Sequence, residues 1–96
     1  MSNVSDQNQG YVQMPRYRCD KTVYALQIKA NEAHGDHVLL RFEDERYAPK
    51  KVSWEWFQKR VPRDASPAGG YLVVYQDGYE SWSPKEAFEA GYTRLP

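Results

Sequence analysis

The sequence predicts an α+β domain: a small antiparallel sheet of two hairpins covered by two short helices, in the order ββαββα. Three observations carry this. Apolar and polar residues alternate in "TVYALQIKA" and "HVLLRFE", as half-buried strands require. "GYLVVYQDGYESW" places two strand-like runs on either side of Asp77-Gly78. Ser53 and Ser83 each stand before a short stretch with helical spacing.

Residues 1–13, "MSNVSDQNQGYVQ", are polar and aperiodic and read as a disordered tail. A single domain then runs over 14–96, with Met14 as an alternative start. In the first hairpin, Tyr24, Leu26 and Ile28 fall on one face of the leading strand. "NEAHGD" reads as the loop, and Val38, Leu40 and Phe42 form the inner face of the returning strand. "DERYAPKKV" is charged, contains Pro49, and reads as a loop or short edge strand. Ser53 caps a helix whose Trp54, Phe57 and Val61 share one face, and Pro62 ends it.

In the second half, Asp77-Gly78 suits a two-residue type I′ turn, which places Val73 opposite Trp82 and Tyr75 opposite Glu80. One sheet face then collects Tyr71, Val73, Tyr75 and Trp82, and the other Leu72, Val74 and Tyr79. Ser83-Pro84-Lys85-Glu86 has the form of a capping box, and Gly91 suits a left-handed stop.

Composition narrows the function. The chain has 96 residues, zero net charge, 41% hydrophobic and 15% aromatic residues. Its core is therefore expected to draw on rings more than on aliphatics, since a domain of this size buries only about two thirds of its unfolded surface. No apolar run approaches the ~18 residues that span a bilayer, no leader opens the chain, and no membrane partner is expected. The single cysteine, Cys19, excludes an internal disulfide and suits a reducing cytoplasm.

No catalytic constellation emerges. His34 and His37 flank "GD" in a hairpin loop with no cysteine pair, so no metal site is assigned. Cys19 lies near Arg18 and Lys21, but nothing supplies a positioned histidine. No phosphate-cradling glycine loop is present, because Gly69-Gly70 precedes a strand. The chain is read as a non-enzyme without cofactor.

Both faces of the second hairpin are apolar, and one helix covers only one of them. The surplus points to an interaction surface made from Tyr71, Tyr75, Tyr79, Trp56 and Trp82, because tyrosine and tryptophan bury much area at little entropic cost. The partner is a host or phage protein, or a second copy. A second reading uses the basic first half, Arg16, Arg18, Lys21, Lys50, Lys51, Lys59, Arg60 and Arg63, interleaved with Tyr17, Trp54 and Trp56, as nucleic-acid contacts. The neutral total and the acidic last third weigh against it.

"MPRYRCDKTVYALQIKA", "FEDERYAPKKVSWEW" and "GGYLVVYQDGYESWSPKEAFEAGYTRL" resemble a family of small proteins encoded by tailed phages and prophages. The resemblance covers residues 14–95, and the C-terminal motif is its most specific part. It implies a phage accessory protein made in the cytoplasm of a bacterial host, and no catalytic residues. One concrete form is an inhibitor of a host protein or defence system.

Overall fold

The structure, a computed structural model, describes residues 13–17 and 21–96. Seven elements follow in the order β1 (Tyr24–His34), β2 (His37–Phe42), β3 (Lys50–Ser53), α1 (Trp54–Arg60), β4 (Tyr71–Val74), β5 (Glu80–Ser83) and α2 (Lys85–Gly91). The class is α+β, as expected. The order corrects the expected ββαββα: "KKVS" is a third strand, so three strands precede α1. Lys50–Ser53 is only four residues long and buries only Val52, which is why its pattern is faint.

All pairings are antiparallel and the sheet order is β3-β2-β1-β4-β5. β1 is the hub. Its first half pairs with β4 from Tyr24↔Val74 to Gln27↔Tyr71, and its second half with β2 from Ile28↔Phe42 to His34↔His37. The register shifts between Ile28 and Ala30, a bulge that adds curl where β1 passes from one partner to the other. "NEAHGD" is thus mostly strand, and the loop shrinks to Gly35-Asp36.

The curl brings the two edge strands towards each other. Lys50 Nζ on β3 lies 3.0 Å from Glu80 Oε2 on β5. Arg60 Nε, at the end of α1, donates to the Glu80 carbonyl at 2.9 Å. Five curled strands with a helix between the third and fourth make a partly open barrel of the OB type.

Ile28, Val38, Leu40, Phe42, Val52 and Leu72 fill the interior, with Leu26, Trp54, Trp56, Phe57, Val74 and Trp82 packed around them. The strand alternation read from the sequence therefore holds for β1 and β2, except that Tyr24 is exposed at the strand's first position. α1 begins as expected: Ser53 Oγ accepts from the Trp56 N–H at 3.0 Å. Val61, just past the helix, is buried.

Two local expectations are corrected in the second half. Tyr75 N–H donates to the Tyr79 carbonyl at 2.9 Å, and Gly78 N–H donates to the Tyr75 carbonyl at 2.9 Å. The turn therefore holds three residues, Gln76-Asp77-Gly78, with Gly78 at φ 91°. This is a type I turn followed by a left-handed glycine, instead of a two-residue type I′ turn. The ladder slips by one residue, so Leu72 faces Trp82 and Val73 faces Ser81. The capping box does not form either. Ser83 stays in β5 opposite Tyr71, Pro84 becomes the residue before the helix, and no side chain caps it. Gly91 is the last helical residue and has no positive φ.

Candidate interaction surface

The β4–β5 turn and the end of α1 bring together three of the five predicted surface residues. Arg60 is stationed between two rings, its guanidinium carbon 4.9 Å from the Trp56 centroid and 5.4 Å from the Tyr79 centroid. Tyr79 tilts against Tyr75 at 5.9 Å, and Lys21 Nζ sits 5.2 Å over the Tyr75 ring. The result is a strip, Lys21–Tyr75–Tyr79–Arg60–Trp56, in which two cations are interleaved with three rings. Each cation–ring contact contributes about 0.5–1 kcal/mol where solvent reaches it.

Local structure explains the strip. Trp56 and Arg60 are four apart on α1 and so share a side of the helix. Tyr75 and Tyr79 close the turn and face each other across it. Asp77 holds that turn through its carboxylate, which accepts from the Tyr79 N–H at 3.0 Å. Beside it lies an open cleft of about 450 Å³ lined by Lys21, Thr22, Tyr75, Gln76, Asp77 and Tyr79. Tyr79 remains 53% exposed, so its ring is available to a partner.

The other two predicted surface residues lie elsewhere. The one-residue slip turns Trp82 inward, where it packs against the core and its Nε1 lies 3.4 Å from the Pro67 carbonyl. Tyr71 points outward and stacks on Phe88 of α2 with centroids 4.1 Å apart; Phe88 in turn stacks on Tyr92 at 4.7 Å. The Tyr71 hydroxyl donates to Glu89 at 2.7 Å. That hydrogen bond, with partial burial, raises the phenol's pKa above its ordinary value. Phe88 in α2 and Tyr92 just past its end are four residues apart, a spacing that signals their stack; nothing in the sequence tied them to Tyr71.

Of the residues named for nucleic-acid contact, Lys21 and Arg60 meet in the aromatic strip, and the other described ones are dispersed. Lys50 and Lys51 are neighbours on β3, so their side chains point to opposite sides of the strand. Lys50 engages Glu80, while Lys51 is exposed. Lys59 lies 3.5 Å from Glu55. Arg60 belongs to the aromatic strip, and Arg16 is exposed in the 13–17 segment ahead of the barrel. Arg18 and Cys19 lie outside the described residues, as do residues 1–12 of the expected tail. OB-type barrels that bind oligonucleotides use the outer side of β2 and β3 together with the β1–β2 and β4–β5 loops, the second of which here carries Tyr75 and Tyr79. The outer β2–β3 face itself carries His37, Leu39, Arg41, Lys51 and Ser53, with no Tyr, Trp or Phe on which a base would stack.

The hairpin-tip histidines pair across the turn with rings stacked 5.6 Å apart. His34 Nε2 lies 3.1 Å from Glu32, and His37 Nδ1 lies 2.9 Å from Asp36. Hydrogen bonds from Arg41 first, then His34, hold Glu32 down to about 2. His37 likewise lowers Asp36. Among the described residues no group of three or more His, Cys, Asp or Glu side chains is placed to hold a metal ion. Nor is any helix long and apolar enough to cross a membrane.

No family model and no curated protein matches the chain. A solved structure does: the NMR solution structure of the monomeric form of the phage L decoration protein, with a TM-score of 0.56 and 35% identity. The likeness covers 76% of this chain and 52% of that one, so the chain spans about half the length of the protein it resembles. A phage structural protein is thus among this chain's structural neighbours, in keeping with the phage resemblance carried by its own motifs.

Proposed function

We propose that this chain is a phage accessory protein that attaches to an assembled phage capsid as a non-enzymatic decoration, made in the cytoplasm of the bacterial host. The observation that carries the reading is the 35% identity to a phage decoration protein over 76% of the chain, combined with a shared fold. At that identity the likeness reaches beyond a generic barrel, although a fold alone hosts many functions. The physical character of the surface agrees. A preset strip of Trp, Tyr and Arg is the composition that dominates protein–protein contacts.

Among the partners expected from the sequence, this reading selects a phage protein. The host-directed inhibitor draws no support from the decoration-protein neighbour, and of the cations named for nucleic acid only Lys21 and Arg60 meet, in the aromatic strip.

The test is co-sedimentation with capsids of the encoding phage assembled without this chain. Saturable pelleting with the particles at micromolar concentration is expected. If the protein stays in the supernatant at all concentrations, the reading fails.

A further inference from the structure

We propose that the Lys21–Tyr75–Tyr79–Arg60–Trp56 strip is the docking surface for the capsid, and that it takes an extended acidic segment of the capsid protein. Carboxylates would sit on the two cations and apolar groups on the rings between them. The inference rests on the capsid-binding reading and specifies its surface and chemistry.

Charge and preorganisation single out this partner. Arg60 is fixed before any partner arrives. Its Nε donates to the Glu80 carbonyl at 2.9 Å, its Nη1 lies 3.4 Å from the Trp56 carbonyl, and two rings bracket it. Nη2 makes no hydrogen bond among the described residues, which leaves that edge of the guanidinium open. A planar, immobilised guanidinium with donors to spare matches a carboxylate. Lys21 marks the other end of the strip, over Tyr75.

Two acids among the described residues border the strip, each with a partner of its own. Asp77 accepts from the Tyr79 backbone, and Glu80 is paired with Lys50. Among the described residues named here, Lys21, Arg60 and Lys50 outnumber Asp77 and Glu80 by one, so the strip carries a net positive charge. The open cleft of about 450 Å³ beside Tyr75 and Tyr79 gives a seat of the size that takes a few side chains. A nucleic-acid strand carries a charge at every nucleotide and calls for a longer run of cations than two. An acidic peptide with two carboxylates does not.

The experiment repeats the capsid co-sedimentation with variants, alongside thermal unfolding of each. Lys21→Glu and Tyr79→Ala are expected to weaken binding about tenfold or more without moving the unfolding midpoint. Lys29→Glu, an equal charge change away from the strip, is expected to bind as the parent does. Arg60 also braces the β5 edge, so Arg60→Lys serves there: it keeps the charge and loses the planar fork, and weaker binding by a folded variant is expected. Binding by the parent should also weaken as salt is raised.

If the parent pellets with capsids and the strip variants pellet equally well, the strip is not the docking surface while the capsid reading stands. Equal losses from Lys29→Glu and Lys21→Glu would reduce the effect to overall charge and overturn the proposal. If the parent does not bind capsids, both fall. Retardation of single-stranded DNA that Lys21→Glu abolishes, with capsids unbound, would assign the strip to the other class of partner.

Discussion

Leu72 and Trp82 face each other across the β4–β5 ladder, so the indole of Trp82 is delivered to the barrel interior. It lies against the backbone of Gly70. A Cβ added at Gly70 would stand 2.7 Å from Trp82 Nε1 and 2.7 Å from the Ser83 carbonyl oxygen. Both are closer than real Cβ contacts, and the carbonyl belongs to backbone that cannot step aside. Gly70→Ala is therefore expected to destabilise the domain by about 1–3 kcal/mol, as overpacking does. The urea midpoint read by tryptophan fluorescence checks this; an unchanged midpoint would refute the close packing.

Gly78 presents the opposite case. Nothing lies within 4 Å of a Cβ built there, but its φ is +91°. The cost of Gly78→Ala is then conformational alone, about 1–2 kcal/mol. Replacement by Asn, which tolerates left-handed backbone, should recover part of it. Equal losses for both variants would mean that the turn does not depend on this dihedral.

Glu32 sets a low-pH limb. Its carboxyl is held at about 2 instead of 4.5, chiefly by the Arg41 hydrogen bonds at 2.6 and 3.2 Å. A folded-state pKa below the unfolded one stabilises the fold fully above about pH 5, and the contribution is lost as pH falls through the interval from 4.5 to about 2. Asp44, held at about 2 by Arg46, titrates in the same window. Both carboxyls are half-exposed and screened by solvent, so the effect on stability is small. The direct readout is an NMR titration of the Glu32 carboxyl: a midpoint near 2 is expected, moving towards 4.5 in Arg41→Ala. An ordinary midpoint in the parent would mean that the pair does not form in solution.

α2 buries none of its residues and is joined to the barrel through Phe88 on Tyr71. A seven-residue helix is marginal without tertiary support. Phe88→Ala should release it, with loss of amide protection confined to 85–92, while the β1–β2 ladder stays protected. Loss of protection throughout the barrel would show that α2 belongs to the cooperative core.

The local rules were readable where one residue type controls one local geometry. The alternation of Ile28 and of Val38, Leu40 and Phe42 named the inner faces of β1 and β2, because their apolar area has no other place to go. Ser53, followed by Trp54, Phe57 and Val61 in register, fixed α1 and its buried side. What the sequence left open depended on competition between near-equal local solutions. Asp77-Gly78 fits either a two-residue or a three-residue turn, and the choice slips the ladder by one residue, which moves Trp82 from one face to the other. Ser83 can cap a helix or extend a strand, and pairing with Tyr71 decided for the strand.

Closure was a tertiary decision altogether. The approach of β3 to β5, with Lys50 on Glu80 and Arg60 on the Glu80 carbonyl, joins positions far apart in the chain. The strip arises from that closure, since only there do α1 and the β4–β5 turn meet. By itself the sequence determined strands, a capped helix and an excess of rings, through short-range sterics and apolar periodicity. The tertiary structure decided which rings are core and which are surface, because that depends on a register and a barrel closure that no short window of residues contains.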